Sequence, residues 1–132
     1  MLNYIWESVH EAFLYRVFKC SAELYVLMIL EAAVIDASII LGIYLFVAVL
    51  WLDIFWLKTM KRNQLYASCV TGMLIAVLIE YRGVMSLKEW SYLPAMPTVF
   101  GIGISPLIQL SATGLPAFWL AKRLLYQECA CD

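Results

Sequence analysis

Residues 24–57 form an apolar run interrupted only by Glu31, Asp36 and Asp53. A water-soluble chain of 132 residues could not hide such a run, because small domains leave much of their surface exposed. The remainder of the sequence has the same character. Hydrophobic residues make up 64% of the chain and charged residues 14%, against roughly half and about a quarter in soluble domains. Mean hydropathy is +0.84. Lipid is the solvent this composition requires. The formal net charge of -1 provides no basic footprint, which argues against nucleic acid as a partner.

A hydrocarbon core of about 30 Å takes about 20 helical residues. The run at 24–57 is too long for one perpendicular span and too short for two spans with a turn. The best division places a span at about 37–57, with 25–36 as a helical approach at the interface or the outer end of a tilted helix. A second span falls at about 65–81. A third falls at about 98–121, interrupted by Pro106 and Pro116. In the segment 1–23, Leu2, Ile5, Trp6, Val9 and Phe13 share one helical face, and Glu7, His10 and Glu11 lie opposite. This amphipathic stretch either lies in the interface or forms the outer end of a further, truncated span. No basic n-region precedes it, so no cleavable signal peptide is read and insertion is left to the spans. The expected fold class is all-α: one polytopic transmembrane helix bundle over 1–132, with three spans and an N-terminal helix.

Lys58, Lys61 and Arg62 follow the first span, and Lys122 and Arg123 follow the third, whereas the loop between spans two and three holds Arg82 and Lys88. Positive-inside bias then puts the first loop and the C-terminus in the cytoplasm, with a bacterial inner membrane as the expected location. Arg16 and Lys19, on the other side, run against this bias.

Small and polar residues recur at i, i+4: Ser68, Gly72, Ala76 and Glu80 in the second span, Gly101, Ser105, Gln109 and Thr113 in the third, and Ser38 with Gly42 in the first. Such stripes let helix backbones approach closely in lipid. They are either bundle interfaces or the walls of a polar groove lined by Gln109 and opening toward Glu80. Carboxylates in spans carry a different expectation, because lipid penalises them. Asp36 either caps a helix through Asp36-Ala37-Ser38 or serves a site. Glu80 either pairs with Arg82 among headgroups or joins Asp36 in the outer leaflet, where both are candidate catalytic groups. Glu7, His10, Trp90, Tyr92 and Gln109 are the candidate binding residues around them. Asp53, one turn from Lys58, snorkels to the opposite interface. His10 is the only histidine, so no metal cluster of the usual kind is expected. Cys129-Ala130-Cys131 is a weak soft-metal or redox candidate. No motif names a cofactor.

The segment Glu80-Tyr81, the run 89–97 (Glu89-Trp90-Ser91-Tyr92-Leu93-Pro94-Ala95-Met96-Pro97) and the run 101–109 ending in Ser105-Pro106-Leu107-Ile108-Gln109 resemble the C-terminal half of a group of small uncharacterised bacterial four-helix membrane proteins. Trp6-Glu7 and Leu14-Tyr15 look like the end of that group's first helix, and Asp36 matches an acidic residue near the start of its next span. The resemblance covers most of the chain and implies a truncated or shortened first span. Trp90-Ser91-Tyr92 and Pro106-Leu107-Ile108-Gln109 are more faintly similar to membrane-embedded lycopene cyclase-type proteins of carotenoid synthesis. Ile108 and Gln109 stand where that family's motif has carboxylates, so the motif's proton donor is missing.

Two functions follow. One is an accessory or assembly subunit that docks in the bilayer against a larger membrane protein or a second copy of itself. The other is a membrane-embedded enzyme or binder acting on a lipid-soluble isoprenoid or carotenoid, with Asp36 and Glu80 as acid, base or cation stabiliser.

Overall fold

The computed structural model describes residues 1–16, 22–88 and 90–128. It is an all-α helical bundle with three helices long and apolar enough to cross a membrane. Helix α1 (Leu2–Leu14) leads through the short strand β1 (Tyr15–Arg16) toward α2 (Ala22–Trp51). A tight corner with the single turn α3 (Trp56–Thr59) precedes α4 (Arg62–Glu80), which continues as a wider π-helical turn at Tyr81–Leu87. Strand β2 (Ser91–Tyr92) and the hairpin β3–β4 (Thr98–Val99 and Ile102–Gly103) lead into α5 (Ile104–Glu128). Helices α2, α4 and α5 pack on one another, and α1 lies against α2 and α5.

The helix ends differ in places from the expected span boundaries. Helix α2 runs unbroken through Asp36, so residues 25–36 are the outer end of the same helix, the second of the two readings above, and Asp36 is no cap. Between Ala22 and Leu41 there is neither Gly nor Pro to stop a helix. The helix ends at Trp51 rather than near Leu57, where Leu52 takes a left-handed φ of 52°. Residues 98–103, expected inside the third span, form the β3–β4 hairpin instead. Phe100 and Gly101, both at positive φ, make its turn. Pro106 falls in the first turn of α5, where its missing N–H has no helical partner to lose. Pro116 sits inside the helix without breaking it. Polar partners in neighbouring helices make such residues tolerable in membrane helices.

The core lies toward the end of the bundle that carries Lys58, Lys61, Arg62, Lys122 and Arg123. Trp56 is fully buried there, stacked on Tyr44 at 5.8 Å between ring centroids and edge-on to Phe118 at 5.5 Å. Its indole N–H donates to the Tyr44 carbonyl at 3.2 Å, and the Tyr44 hydroxyl donates to the Ile54 carbonyl. Ile40, Ile43, Val47, Ala76 and Leu110 extend this core between the three long helices. The small-residue line on α4 faces inward: Ser68, Gly72, Ala76 and Glu80 are all buried, with Gln64 one turn earlier. A Cβ on Gly72 would meet Ile43 Cδ1 and Leu110 Cβ, each at 3.5 Å, so the three helices meet at this residue. Gly101 was expected at a helix contact but stands in the hairpin turn, ahead of α5. Ser38 and Gly42 are exposed on α2, and nothing lies within 4 Å of a Cβ on Gly42.

Candidate functional site

Helix α1 is inside-out by the standards of a water-soluble protein. Leu2, Ile5, Val9 and Phe13 are exposed, whereas Asn3 and Glu7, one turn apart, are buried at 7% and 8% exposure. An apolar face turned outward and a polar face turned into the bundle suit lipid as solvent. The inward face delivers Glu7 to α2 and α5. There the Gln109 side-chain amide donates to Glu7 Oε1 and to Asp36 Oδ2. The one amide therefore brings the Glu7 and Asp36 carboxyls to a common partner. One turn along α5, the Thr113 hydroxyl donates to the Gln109 carbonyl at 2.9 Å.

A second polar group forms at the end of α4. Glu80 is 5% exposed and accepts from the Tyr92 hydroxyl and, at 3.4 Å, from the Trp90 indole N–H. The Tyr92 hydroxyl in turn accepts from the Gly103 N–H at 2.9 Å. Burial, and then the Glu80 carboxylate that accepts its proton, push the Tyr92 phenol well above its ordinary value. Trp90 reaches Glu80 across Gly83. A Cβ at Gly83 would lie 2.0 Å from Trp90 Cζ2, so glycine is the residue this crossing permits. The π-helical turn that contains Gly83 has the wide geometry often seen where a helix accommodates a site.

The two groups lie at different depths. At about 1.5 Å per residue, Asp36 is about 22 Å along α2 from Trp51, Gln109 about 20 Å along α5 from Lys122, and Glu80 about 27 Å along α4 from Arg62. Measured from the basic end, a core of about 30 Å therefore encloses Glu7, Asp36 and Gln109, with Glu80, Trp90 and Tyr92 near its far edge. Asp36 was expected at the start of a span, level with Glu80. It sits mid-helix because its polar partners are there. Glu80 turns inward to two aromatic side chains, and Arg82 is exposed.

Of the residues singled out in the sequence, Glu7, Asp36 and Gln109 meet in one group, and Glu80, Trp90 and Tyr92 in another. The side chain of His10 falls outside the described ones, and Cys129 and Cys131 lie outside the described residues. Asp53 accepts from the Phe55 N–H at 2.9 Å, while Lys58 lies over the Phe55 ring at 5.0 Å. Among the described residues no group of three or more His, Cys, Asp or Glu could hold a metal. Sequence reasoning missed Asn3 and Gly83. Asn3 was legible as the i−4 neighbour of Glu7, whereas Gly83 carried no signal until Trp90 was placed. A cavity of about 10 Å³ lies nearer the basic end, lined by Ile40, Ser68, Cys69, Ser111, Gly114 and Phe118 among others, and touches neither polar group. Set beside known proteins, the chain matches no protein-family model, no curated protein and no solved structure, so the chemistry of the site is read from its own geometry.

Proposed function

We propose that this protein is a membrane-embedded binder or acid–base catalyst for a lipid-soluble molecule that carries a polar group, with Glu7, Asp36 and Gln109 as its centre. One observation carries the reading: two carboxyls and an amide, supplied by three different helices, meet within the apolar depth of the bundle. Ionisable groups at that depth are costly and mark sites far more often than they serve packing. A carboxyl placed beside the amide can give a proton to, or take one from, a ligand held there. An isoprenoid is the ligand class that the fainter family resemblance implies, and a route through lipid suits it. Glu80, Tyr92 and Trp90 close the end of the bundle above the centre. The basic residues at the opposite end support an orientation with that end and the C-terminus in the cytoplasm, in a bacterial inner membrane.

A second reading is an accessory subunit that docks on a larger membrane protein or a second copy. The α4 stripe no longer supports it, being consumed within the chain. The exposed Ser38–Gly42 pair on α2 does support it, since a partner helix could approach closely there.

The test is purification in mild detergent, followed by solvent extraction and mass spectrometry of the extract. The wild type is expected to retain a lipid-soluble polar molecule that the Glu7→Gln, Asp36→Asn double variant loses. An extract identical for both proteins would refute the site. A larger protein at fixed stoichiometry, with no such molecule, would favour the docking reading.

A further inference from the structure

One short segment ties three helices together at the end of the bundle above the carboxyl pair. Strand β2 pairs antiparallel with β1 at the end of α1, with Tyr15 opposite Tyr92 and Arg16 opposite Ser91. The Leu93 N–H donates to the Leu14 carbonyl at 2.9 Å. From the same strand, Tyr92 reaches Glu80 at the end of α4 and the N–H of Gly103, the last residue of β4 before α5. Tyr92 thus joins the strap to α4 and ties its two ends together, and Trp90 from the same strap also donates to Glu80, at 3.4 Å. The strap also carries conformational strain: Phe100, a non-glycine, holds a left-handed φ of 52°. At about 1.5 Å per residue, Gly103 is about 9 Å along the chain from Gln109, and Leu14 about 10 Å along α1 from Glu7. The strap therefore stands between the carboxyl pair and the end of the bundle.

We propose that residues 90–103 form a latch in which the Tyr92–Glu80 bond, with the longer Trp90–Glu80 bond beside it, holds the strap, and through it the end of helix α1, closed over the Glu7–Asp36–Gln109 centre. Loosening the latch at Tyr92 frees the strap, and the end of α1 moves with it because β1 and Leu14 are bonded to the strap. The centre is then reached from the water at this end. This device rests on the centre proposed above, but its geometry can be tested without any ligand.

The test is labelling of the detergent-solubilised protein with a water-soluble carbodiimide and an amine, with the modified carboxyls at Glu7 and Asp36 counted by peptide mass spectrometry. Tyr92→Phe removes the bond and keeps the ring. Its labelling is expected to rise about tenfold, the population shift that corresponds to losing one charge-assisted hydrogen bond. Glu80→Gln keeps a neutral acceptor for the Tyr92 hydroxyl and is expected to fall between wild type and Tyr92→Phe. Labelling of Tyr92→Phe at the wild-type level would overturn the latch, whatever the solvent extracts show about the centre itself. Hydrogen exchange of the unaltered protein provides a check free of substitutions. Peptides covering 2–14 and 90–103 are expected to open at one common rate, and α1 exchanging independently of the strap would overturn the coupling.

Discussion

Replacing Gln109 by leucine should expose how strongly the bundle depends on its buried polar centre. The substitution keeps the bulk of the side chain and removes the amide that donates to both Glu7 and Asp36. Hydrogen bonds to charged groups contribute about 1.5–3 kcal/mol each in water-soluble proteins. Polar contacts between membrane helices average only about 0.6 kcal/mol, because the partners find substitutes when separated. Gln109 is 6% exposed, so water has little access to replace the lost donor. Two bonds bracketed in this way give an expected loss of about 1–6 kcal/mol. The assay is reversible unfolding in mixed micelles of rising denaturing-detergent content, followed by helical circular dichroism. The loss should shrink by more than about 1 kcal/mol when Gln109→Leu is made on a Glu7→Gln, Asp36→Asn background, since neighbouring groups couple. A single-variant loss below about 0.5 kcal/mol, the range of ordinary surface substitutions, would refute the idea that the amide holds the carboxyls.

At Gly72 the contacts at 3.5 Å leave room for a methyl group and no more; Gly72→Ala should melt within a few degrees of wild type, whereas Gly72→Leu should cost about 1–3 kcal/mol through overpacking. Gly83→Ala should displace the Trp90 ring, read as a red shift and increased quenching of Trp90 fluorescence in a variant that keeps this tryptophan alone. Because Tyr92 is neutral in the folded protein and held above its ordinary value near 10.0, its contribution to stability is complete below that value and is lost as pH rises beyond it; the alkaline fall in melting temperature should be shallower in Tyr92→Phe. An Asn63→Cys variant, with the native cysteines replaced by serine, should resist an impermeant thiol reagent in intact cells, and efficient labelling would reverse the proposed orientation.

The number of long apolar helices was legible because it depends on composition and length, which are local properties. The ends were less legible where a charge was read as a boundary. Asp36 looks like the start of a helix only when its environment is taken to be lipid. Its amide partner is 73 positions away, and that of Glu7 is 102 positions away. Periodicity placed Glu7 opposite the apolar face of α1, but it could not tell whether that polar face meets water or other helices. The hairpin at 98–103 was misread as helix because Val99, Phe100 and Ile102 are apolar, although Gly101 stands in the turn and Gly103 ends the second strand. Trp90, Tyr92 and Glu80 stood out by type. Their union depends on the π-helical turn and on Gly83, a crossing that no sequence period announces.

The separation of 102 positions between Glu7 and Gln109 also bears on how the protein is made. Chains enter the membrane from their N-terminus, so α1 and α2 arrive while α5 is still unsynthesised. Until it arrives, Glu7 and Asp36 lack the amide that both accept from. Helix α5, made after α1 and α2, is thus the one that completes the charge-bearing interior. A chain halted before α5 leaves two carboxyls in the bundle without their shared donor, and the arrival of α5 supplies it. The order of synthesis makes the polar centre the contact that forms late, joining α5 to the two helices made first.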